Sequence, residues 1–116
     1  MKKVYEGYIG KNEYGFLTVD DEVLSCNVVD DLKDIIDKDV FIRYYITNKP
    51  HTEEKAKEKL IEKISGKLDA EYELDAYSEW TVLEWKQELW IGDHDLMSEL
   101  EKYEGKYLVL IIESKL

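Results

Sequence analysis

A run of six apolar residues, YLVLII at residues 107–112, constrains the fold more than any other feature of the chain. The run is far shorter than the ~20 residues that an apolar helix needs to cross a membrane. Its β-branched residues Val109, Ile111 and Ile112 favour a strand. A strand without polar alternation is typical of one that is buried on both faces. We therefore predict that Tyr107–Ile112 is an enclosed central strand of a sheet, with cover on each side.

The residues before this run predict three more strands. Asp69–Tyr77 alternates between apolar and acidic positions, as in a strand with one face in solvent. Thr81–Trp85 and Glu88–Ile91 are rich in residues that suit a pleated surface. We predict that these two short strands are joined by a turn at Lys86-Gln87.

A short helix is predicted between these strands and the apolar run. Leu96, Leu100 and Tyr103 recur at the spacing of one helical face. Asp93 is predicted to cap the helix, because a carboxylate there accepts from backbone N–H groups of the first turn. Gly105 stands where many helices end in a left-handed residue, a conformation that glycine adopts without strain.

The first half of the chain contains a fainter version of the same order. A tight turn is predicted at Asp20-Asp21. A helix is predicted to follow Asp30-Asp31, with an apolar inner face formed by Leu32, Ile35 and Ile36. The strands predicted here are Lys3–Ile9, Phe16–Val19, Glu22–Ser25 and Val40–Ile46.

Residues 47–68 predict a helical connector between the two halves. Ala56, Leu60 and Ile64 repeat every four residues, and lysine and glutamate occupy most of the remaining positions. We therefore predict a helix over Glu53–Ile64.

We predict an α+β fold of two similar β-β-β-α-β halves, with mostly antiparallel strands, joined by the connector helix at about residues 53–64. The chain has 116 residues, the size of a single domain. The halves are residues 1–46 and 69–116, and the shared order of elements indicates an internal duplication. The alternative is a chance likeness between two α+β halves. One offset matches Glu13 with Glu79, Leu17 with Leu83 and Glu22 with Glu88. Small gaps then align Asp31-Leu32 with Asp95-Leu96 and Val40–Ile46 with Tyr107–Ile112.

Composition and charge limit the classes of function. The single cysteine, Cys26, suits a reducing compartment, and the first residues do not resemble a signal peptide, so we expect a cytoplasmic protein that does not enter a membrane. The net charge is −11, and residues 69–116, with 13 acidic and 4 basic residues, carry −9 of it. Because attraction to phosphate backbones comes from lysine and arginine, we expect no direct binding of nucleic acid.

No motif predicts catalysis, a cofactor or a metal site. His94 lies between Asp93 and Asp95, but adjacent helix residues do not face one another, and the other histidine, His51, is distant in sequence. Cys26 has acidic neighbours, whereas a nucleophilic cysteine needs an electropositive setting. An exposed histidine at a helix start and a buried cysteine at a strand end are the simpler interpretations. We therefore expect a protein without enzyme activity and without a cofactor.

An aromatic set in the second half is the first candidate for function. Three tryptophans fall within eleven residues, Trp80 to Trp90, more than one small sheet face needs to bury. Aromatic side chains dominate the energetics of protein interfaces. We predict a surface for a protein partner or for a second copy of the chain, and ordinary core residues are the alternative. The set is Tyr77, Trp80, Trp85 and Trp90.

An acidic row is the second candidate. Alternate residues of a strand lie about 6.6–7 Å apart on one face, a spacing similar to that of nucleic-acid phosphates. The row could therefore mimic nucleic acid and block a DNA- or RNA-binding protein, and the alternative is the solvated face of a half-buried strand. Its members are Asp69, Glu71, Glu73 and Asp75.

Overall fold

The computed structural model describes residues 2–48, 60–78 and 81–114. Within these residues the chain forms one sheet of eight strands and two helices. In chain order the elements are β1 (Lys2–Lys11), β2 (Leu17–Val19), β3 (Glu22–Val23), α1 (Leu24–Asp31), β4 (Asp39–Thr47), β5 (Leu60–Ser78), β6 (Thr81–Ile91), β7 (His94–Asp95), α2 (Leu96–Glu101) and β8 (Tyr107–Ser114).

The apolar run forms β8 and lies at the centre of the sheet. The strand order is β3-β2-β1-β8-β4-β5-β6-β7, and every paired neighbour is antiparallel. β8 pairs with β1 on one side and with β4 on the other. Leu108 to Ile112 are each at most 1% exposed. The predictions of an enclosed central strand and of an α+β fold are therefore confirmed.

The two faces of β8 contribute to different apolar clusters. Leu108, Leu110 and Ile112 belong to the main core, which also contains buried leucines of both helices. Val109 and Ile111 point to the opposite face, where they form a smaller cluster. Successive strand residues alternate between faces, so an uninterrupted apolar run supplies both clusters at once.

The first helix does not lie where the sequence predicts it. The third strand ends at Val23, so Ser25 is helical, and α1 ends at Asp31 instead of beginning there. Its buried face follows Leu24 and Val28. Leu32 and Ile35 are buried as expected, but they lie after the helix, where the N–H of Ile35 donates to the carbonyl of Leu32 at 2.9 Å. The aspartates that resemble a helix start therefore stand at its end.

Two predicted details of the second half are wrong. β6 runs without a turn through Lys86-Gln87, which pair in register with Glu73 and Tyr72. Neither residue has the left-handed preference that a tight hairpin turn needs. Asp95, not Asp93, caps α2: its carboxylate accepts from the N–H and from the hydroxyl of Ser98, at 3.4 and 2.8 Å.

The predicted turn at Asp20-Asp21 and the predicted buried face of α2 are confirmed. Asp20 and Asp21 both have positive φ, as a tight turn between two strands requires. Leu96 and Leu100 are fully buried. Gly105 has a φ of +87°, but α2 already ends at Glu101, so Tyr103 and Gly105 lie in the turn after the helix and Gly105 does not end it as predicted.

The predicted connector helix does not extend to Ile64. Residues 60–64 are the first residues of β5, and Ile64 pairs with Ile42 of β4. Leu60 and Ile64 are four positions apart, a spacing that places two residues on one face of a helix. Because four is an even number, the same spacing also suits one face of a strand. The rest of the predicted helix, residues 53–59, lies outside the described residues.

A candidate interaction ribbon

β5 changes its partner part-way along its length. Residues 60–67 pair with β4, and from Leu68 onwards β5 pairs with β6. Among the described residues, no third strand pairs with β5 beyond that point. We call residues 69–78 of β5 with residues 81–90 of β6 the ribbon.

The ribbon contains both of the residue sets that the sequence singles out. Asp69, Glu71, Glu73 and Asp75 occupy alternate positions of β5, opposite Trp90, Glu88, Lys86 and Glu84 of β6. Tyr77 is a residue of β5, and Trp85 pairs with Leu74. Trp80 and the side chains of residues 72–86 lie outside what the structure describes.

The described base of the ribbon combines acidic and aromatic side chains. Asp69 and Glu88 are exposed, and Trp90 is half-buried. These three line a shallow pocket of about 470 Å³ together with Lys67, Gly92 and Asp93. Because directly opposite residues lie on the same face of an antiparallel pair, Asp69 and Trp90 share this surface.

The other face of the base is part of the protein core. Leu68 pairs with Ile91 and Ala70 pairs with Leu89, and all four residues are at most 9% exposed. The Gln87 side chain, at the next position of β6 on this face, accepts from the N–H of Leu17 in β2 at 3.1 Å. This bond joins two strands that are far apart in the sheet order, so the sheet curls and brings its two ends together.

The ribbon has no counterpart of equal length in the first half of the chain. There, β1 and β2 pair over only three positions, from Ile9 with Val19 to Lys11 with Leu17. The Asn12 side chain organises the short connection, since it accepts from the N–H groups of Tyr14 and Phe16, both at 3.0 Å. Residues 69–88 contain seven acidic residues and one basic residue, a net charge of −6. Without Glu79, which is not part of the ribbon, the ribbon carries a charge of −5, nearly half of the net charge of the chain.

The structure describes two of the candidate reactive residues, His94 in β7 and Cys26 in α1. His94 is exposed, and its Nδ1 lies 3.3 Å from a carboxylate oxygen of Glu99. Cys26 lies on α1, half-buried, and not at the end of a strand as predicted; burial and then Asp30 raise the pKa of its thiol. Within the described parts of the chain, no three histidine, cysteine or acidic residues are grouped to hold a metal ion. His51 lies outside them.

One polar cluster was missed by the sequence analysis. The hydroxyl of Tyr5 donates to Asp31 at 3.1 Å, and Lys3 lies 3.7 Å from the same carboxylate. Burial, and then the charge of Asp31, raise the pKa of Tyr5. These residues line a groove of about 590 Å³ between β1, β3 and α1. The polar groups of Tyr5, Lys3 and Asp31 contact one another, so the cluster connects α1 to the sheet. In the sequence, the only indication of this cluster is that the alternation of strand residues directs Tyr5 to one face of β1.

No family model matches the chain, and comparisons with curated proteins and with solved structures find no significant match. Neither of the described helices has the length and apolar character needed to cross a membrane.

Proposed function

We propose that this protein is a non-catalytic protein-binding module and that the ribbon is its contact element. The observation that carries the proposal is the pairing of the ribbon: beyond the core it is a two-stranded element, and it concentrates acidic and aromatic residues. A two-stranded hairpin is at best marginally stable by itself in water. A ribbon of this length gains stability from a partner that covers it.

The composition of the ribbon supports the same proposal. Tryptophan and tyrosine are enriched among the residues that contribute most to protein–protein affinity. Trp90, half-buried next to the exposed Asp69, has the mixed surroundings of an interface residue. The charge of −6 on residues 69–88 favours a partner of opposite charge and disfavours wrong partners.

A shortened ribbon tests the proposal. Replacing residues 74–85 with Asn-Gly leaves a hairpin that closes on the pair Glu73–Lys86 and retains Gln87. We expect tagged wild-type protein to capture a partner from a lysate of its native host, identified by mass spectrometry, and the shortened variant to lose it. A Tyr14→Ser variant, which removes an exposed aromatic residue outside the ribbon, is the control. Capture of the same partner by the shortened variant would overturn the proposal.

A nucleic-acid mimic is the second candidate, favoured by one further observation. Glu71 is directly opposite Glu88, so carboxylate positions occur on both strands of the ribbon. Under this hypothesis the captured partner is a nucleic-acid-binding protein that is released at high salt, since screening weakens charge pairing. Release should also follow the triple substitution Glu71→Gln, Glu73→Gln and Asp75→Asn. A partner that resists high salt but is released by Trp90→Ala favours the aromatic surface instead.

We also infer an internal duplication, and matching backbone hydrogen bonds support it. The N–H of Gly105 donates to Ile9 at 2.8 Å, and the N–H of Asp37 donates to Leu68 at 2.7 Å. Gly105 and Asp37 both have positive φ and both precede the last strand of a half. If each strand of the first half is replaced in the strand order by its counterpart in the second half (β1 by β5, β2 by β6, β3 by β7 and β4 by β8), and the reverse, the result is the observed strand order read from the other end.

The correspondence differs from the single offset that aligns Leu17 with Leu83 in the sequence. It relates Ile9 to Leu68 by a smaller offset and the first residue of α1, Leu24, to that of α2, Leu96, by a larger one. The offset grows between these points because the ribbon lengthens the second hairpin. Superposition of the two halves in a crystal structure tests the inference, and halves that do not superpose would contradict it.

A further inference from the structure

One edge of the ribbon presents backbone groups with no described partner strand. At its base, the carbonyl of Leu68 accepts from Asp37 at 2.7 Å, and its N–H donates to Lys38 at 3.0 Å, so both groups face away from β6. In an antiparallel pair, backbone groups alternate between the partner strand and the opposite edge. Tyr72 and Leu74, at even separation from Leu68, therefore direct their backbone groups to the same open edge.

The other edge of the ribbon is less accessible at its base. β6 pairs there with β7 through Trp90 and Ile91, and Gln87 bonds to β2. The β5 edge is regular over residues 72–75, up to the irregularity that follows Asp75, and no described strand pairs with it there. Open strand edges accept an additional strand, because unpaired N–H and carbonyl groups supply affinity through main-chain hydrogen bonds.

The charge of the ribbon determines which kind of strand fits this edge. Pairing with β5 of a second copy would place acidic positions beside acidic positions, and like charges opposite one another destabilise a sheet. Lysine or arginine at alternate positions of an added strand would instead lie beside Glu71, Glu73 and Asp75. We propose that the β5 edge of the ribbon binds an extended segment of another protein with alternating basic residues, which adds as a further strand. This rests on the proposed function and specifies its partner.

Amide hydrogen exchange, measured by NMR, tests the proposal with a defined probe. The probe is an eight-residue peptide of alternating lysine and valine, capped at both ends, and the control is the same peptide with aspartate in place of lysine. At saturation we expect the exchange of the Tyr72 and Leu74 amides to slow by at least about tenfold. The amides of Glu71 and Glu73, which alternation directs to β6, should change little. The aspartate peptide should have no effect.

A pair of substitutions separates backbone pairing from side-chain contact. Leu74→Pro removes one outward N–H, and proline is tolerated in an edge strand where the N–H does not face the partner strand. Leu74→Ala shortens the side chain and retains the N–H. We expect Leu74→Pro to weaken binding of the lysine peptide about tenfold more than Leu74→Ala does. This factor corresponds to the loss of one main-chain hydrogen bond to the added strand.

Two results would overturn the inference: no binding of the lysine peptide, or binding that leaves the exchange of Tyr72 and Leu74 unchanged. Loss of the cellular partner by the shortened ribbon, together with either result, would leave the proposed function intact and remove strand addition alone. Retention of that partner by the shortened ribbon would instead overturn the proposed function.

Discussion

Gly66 lies where β5 leaves its pairing with β4 and passes the turn that follows β6. A Cβ atom at this position would lie 2.9 Å from both the Cα and the N of Gly92, closer than real side-chain carbons approach a backbone. The N–H of Gly92 donates to the carbonyl of Lys67 at 2.9 Å, which keeps the two segments together. Glycine is therefore required at Gly66 by the contact with a neighbouring backbone and not by a turn.

Gly66→Ala should destabilise the protein by about 1–3 kcal/mol, because neither backbone can move without losing hydrogen bonds. Urea unfolding followed by circular dichroism measures the change. Gly15→Ala is the matched control: Gly15 has a φ of +79°, but no atom lies within 4 Å of the added carbon. The Gly15→Ala variant therefore measures the strain of a positive φ without the close contact. A Gly66→Ala variant no less stable than Gly15→Ala would contradict the close-approach argument.

Tyr5 and Tyr44 should make the free energy of unfolding depend on pH in the alkaline range. Burial and then a nearby carboxylate, Asp31 for Tyr5 and Glu99 for Tyr44, raise the pKa of each phenol in the folded state. An unfolded tyrosine has a pKa of about 10. Above that pH the unfolded state releases phenol protons that the folded state retains, so the free energy of unfolding should fall as pH rises.

The double variant Tyr5→Phe, Tyr44→Phe should lose less stability than wild type between pH 8 and pH 10.5. For each protein, the quantity compared is the change in the free energy of unfolding between pH 8 and pH 10.5. The loss of the tyrosine hydrogen bonds lowers the free energy of unfolding equally at both pH values, so it does not affect this change. Urea unfolding at each pH supplies the free energies. An unchanged difference would show that other groups cause the alkaline loss.

At the scale of the element, helix α2 shows how a cap depends on where the preceding strand ends. Asp93 and Asp95 both precede the apolar stripe, and Asp93 falls in the turn after β6. The two-residue strand β7 pairs His94 and Asp95 with β6, which moves the first helical residue to Leu96. The capping position is therefore set by strand pairing.

Asp95→Ala should cost about 1 kcal/mol of unfolding free energy, because the first turn loses its side-chain acceptor. Asp93→Ala is the matched control, since it removes a carboxylate from the preceding turn and leaves the cap in place; it should change stability by less than about 0.5 kcal/mol. Thermal unfolding of both variants under one buffer condition makes the comparison. Equal losses would argue against Asp95 as the cap.

At the scale of the whole molecule, one side-chain hydrogen bond joins β2 and β6, which lie near opposite ends of the strand order. Leu17 is fully buried, and its N–H donates to the Gln87 side chain at 3.1 Å. Leu17 and Gln87 are 70 residues apart in the chain. A buried N–H without an acceptor is costly, so this one bond links the stability of the first half to the base of the ribbon.

Gln87→Ala should destabilise the protein by about 1–3 kcal/mol, since the Leu17 N–H loses its acceptor. Gln87→Glu retains an acceptor oxygen at nearly the same position and should be less destabilising. Denaturant unfolding gives both values. Equal effects of the two substitutions would indicate that the side chain acts by packing and not through the hydrogen bond.

Local sequence alone determined the elements whose pattern allowed one interpretation. The run at residues 107–112 predicted an enclosed strand, because a continuous apolar segment of that length needs cover on both faces. Leu96 and Leu100 predicted the buried face of α2, and the acidic alternation from Asp69 predicted a strand with a polar side. Trp90 was identified as a candidate by its residue type and by its neighbours, without knowledge of its position.

Tertiary structure decided the features that depend on pairing between distant residues. Leu60 and Ile64 satisfied the spacing of both a helix and a strand, and β4 determined that they form a strand. Lys86-Gln87 resembled a break until β5 was found opposite it. Asp69 and Trp90 became one surface only through the register of the ribbon. A periodic pattern reports which side of an element is apolar, whereas the hydrogen-bond partner of a strand is set by groups that are remote in sequence.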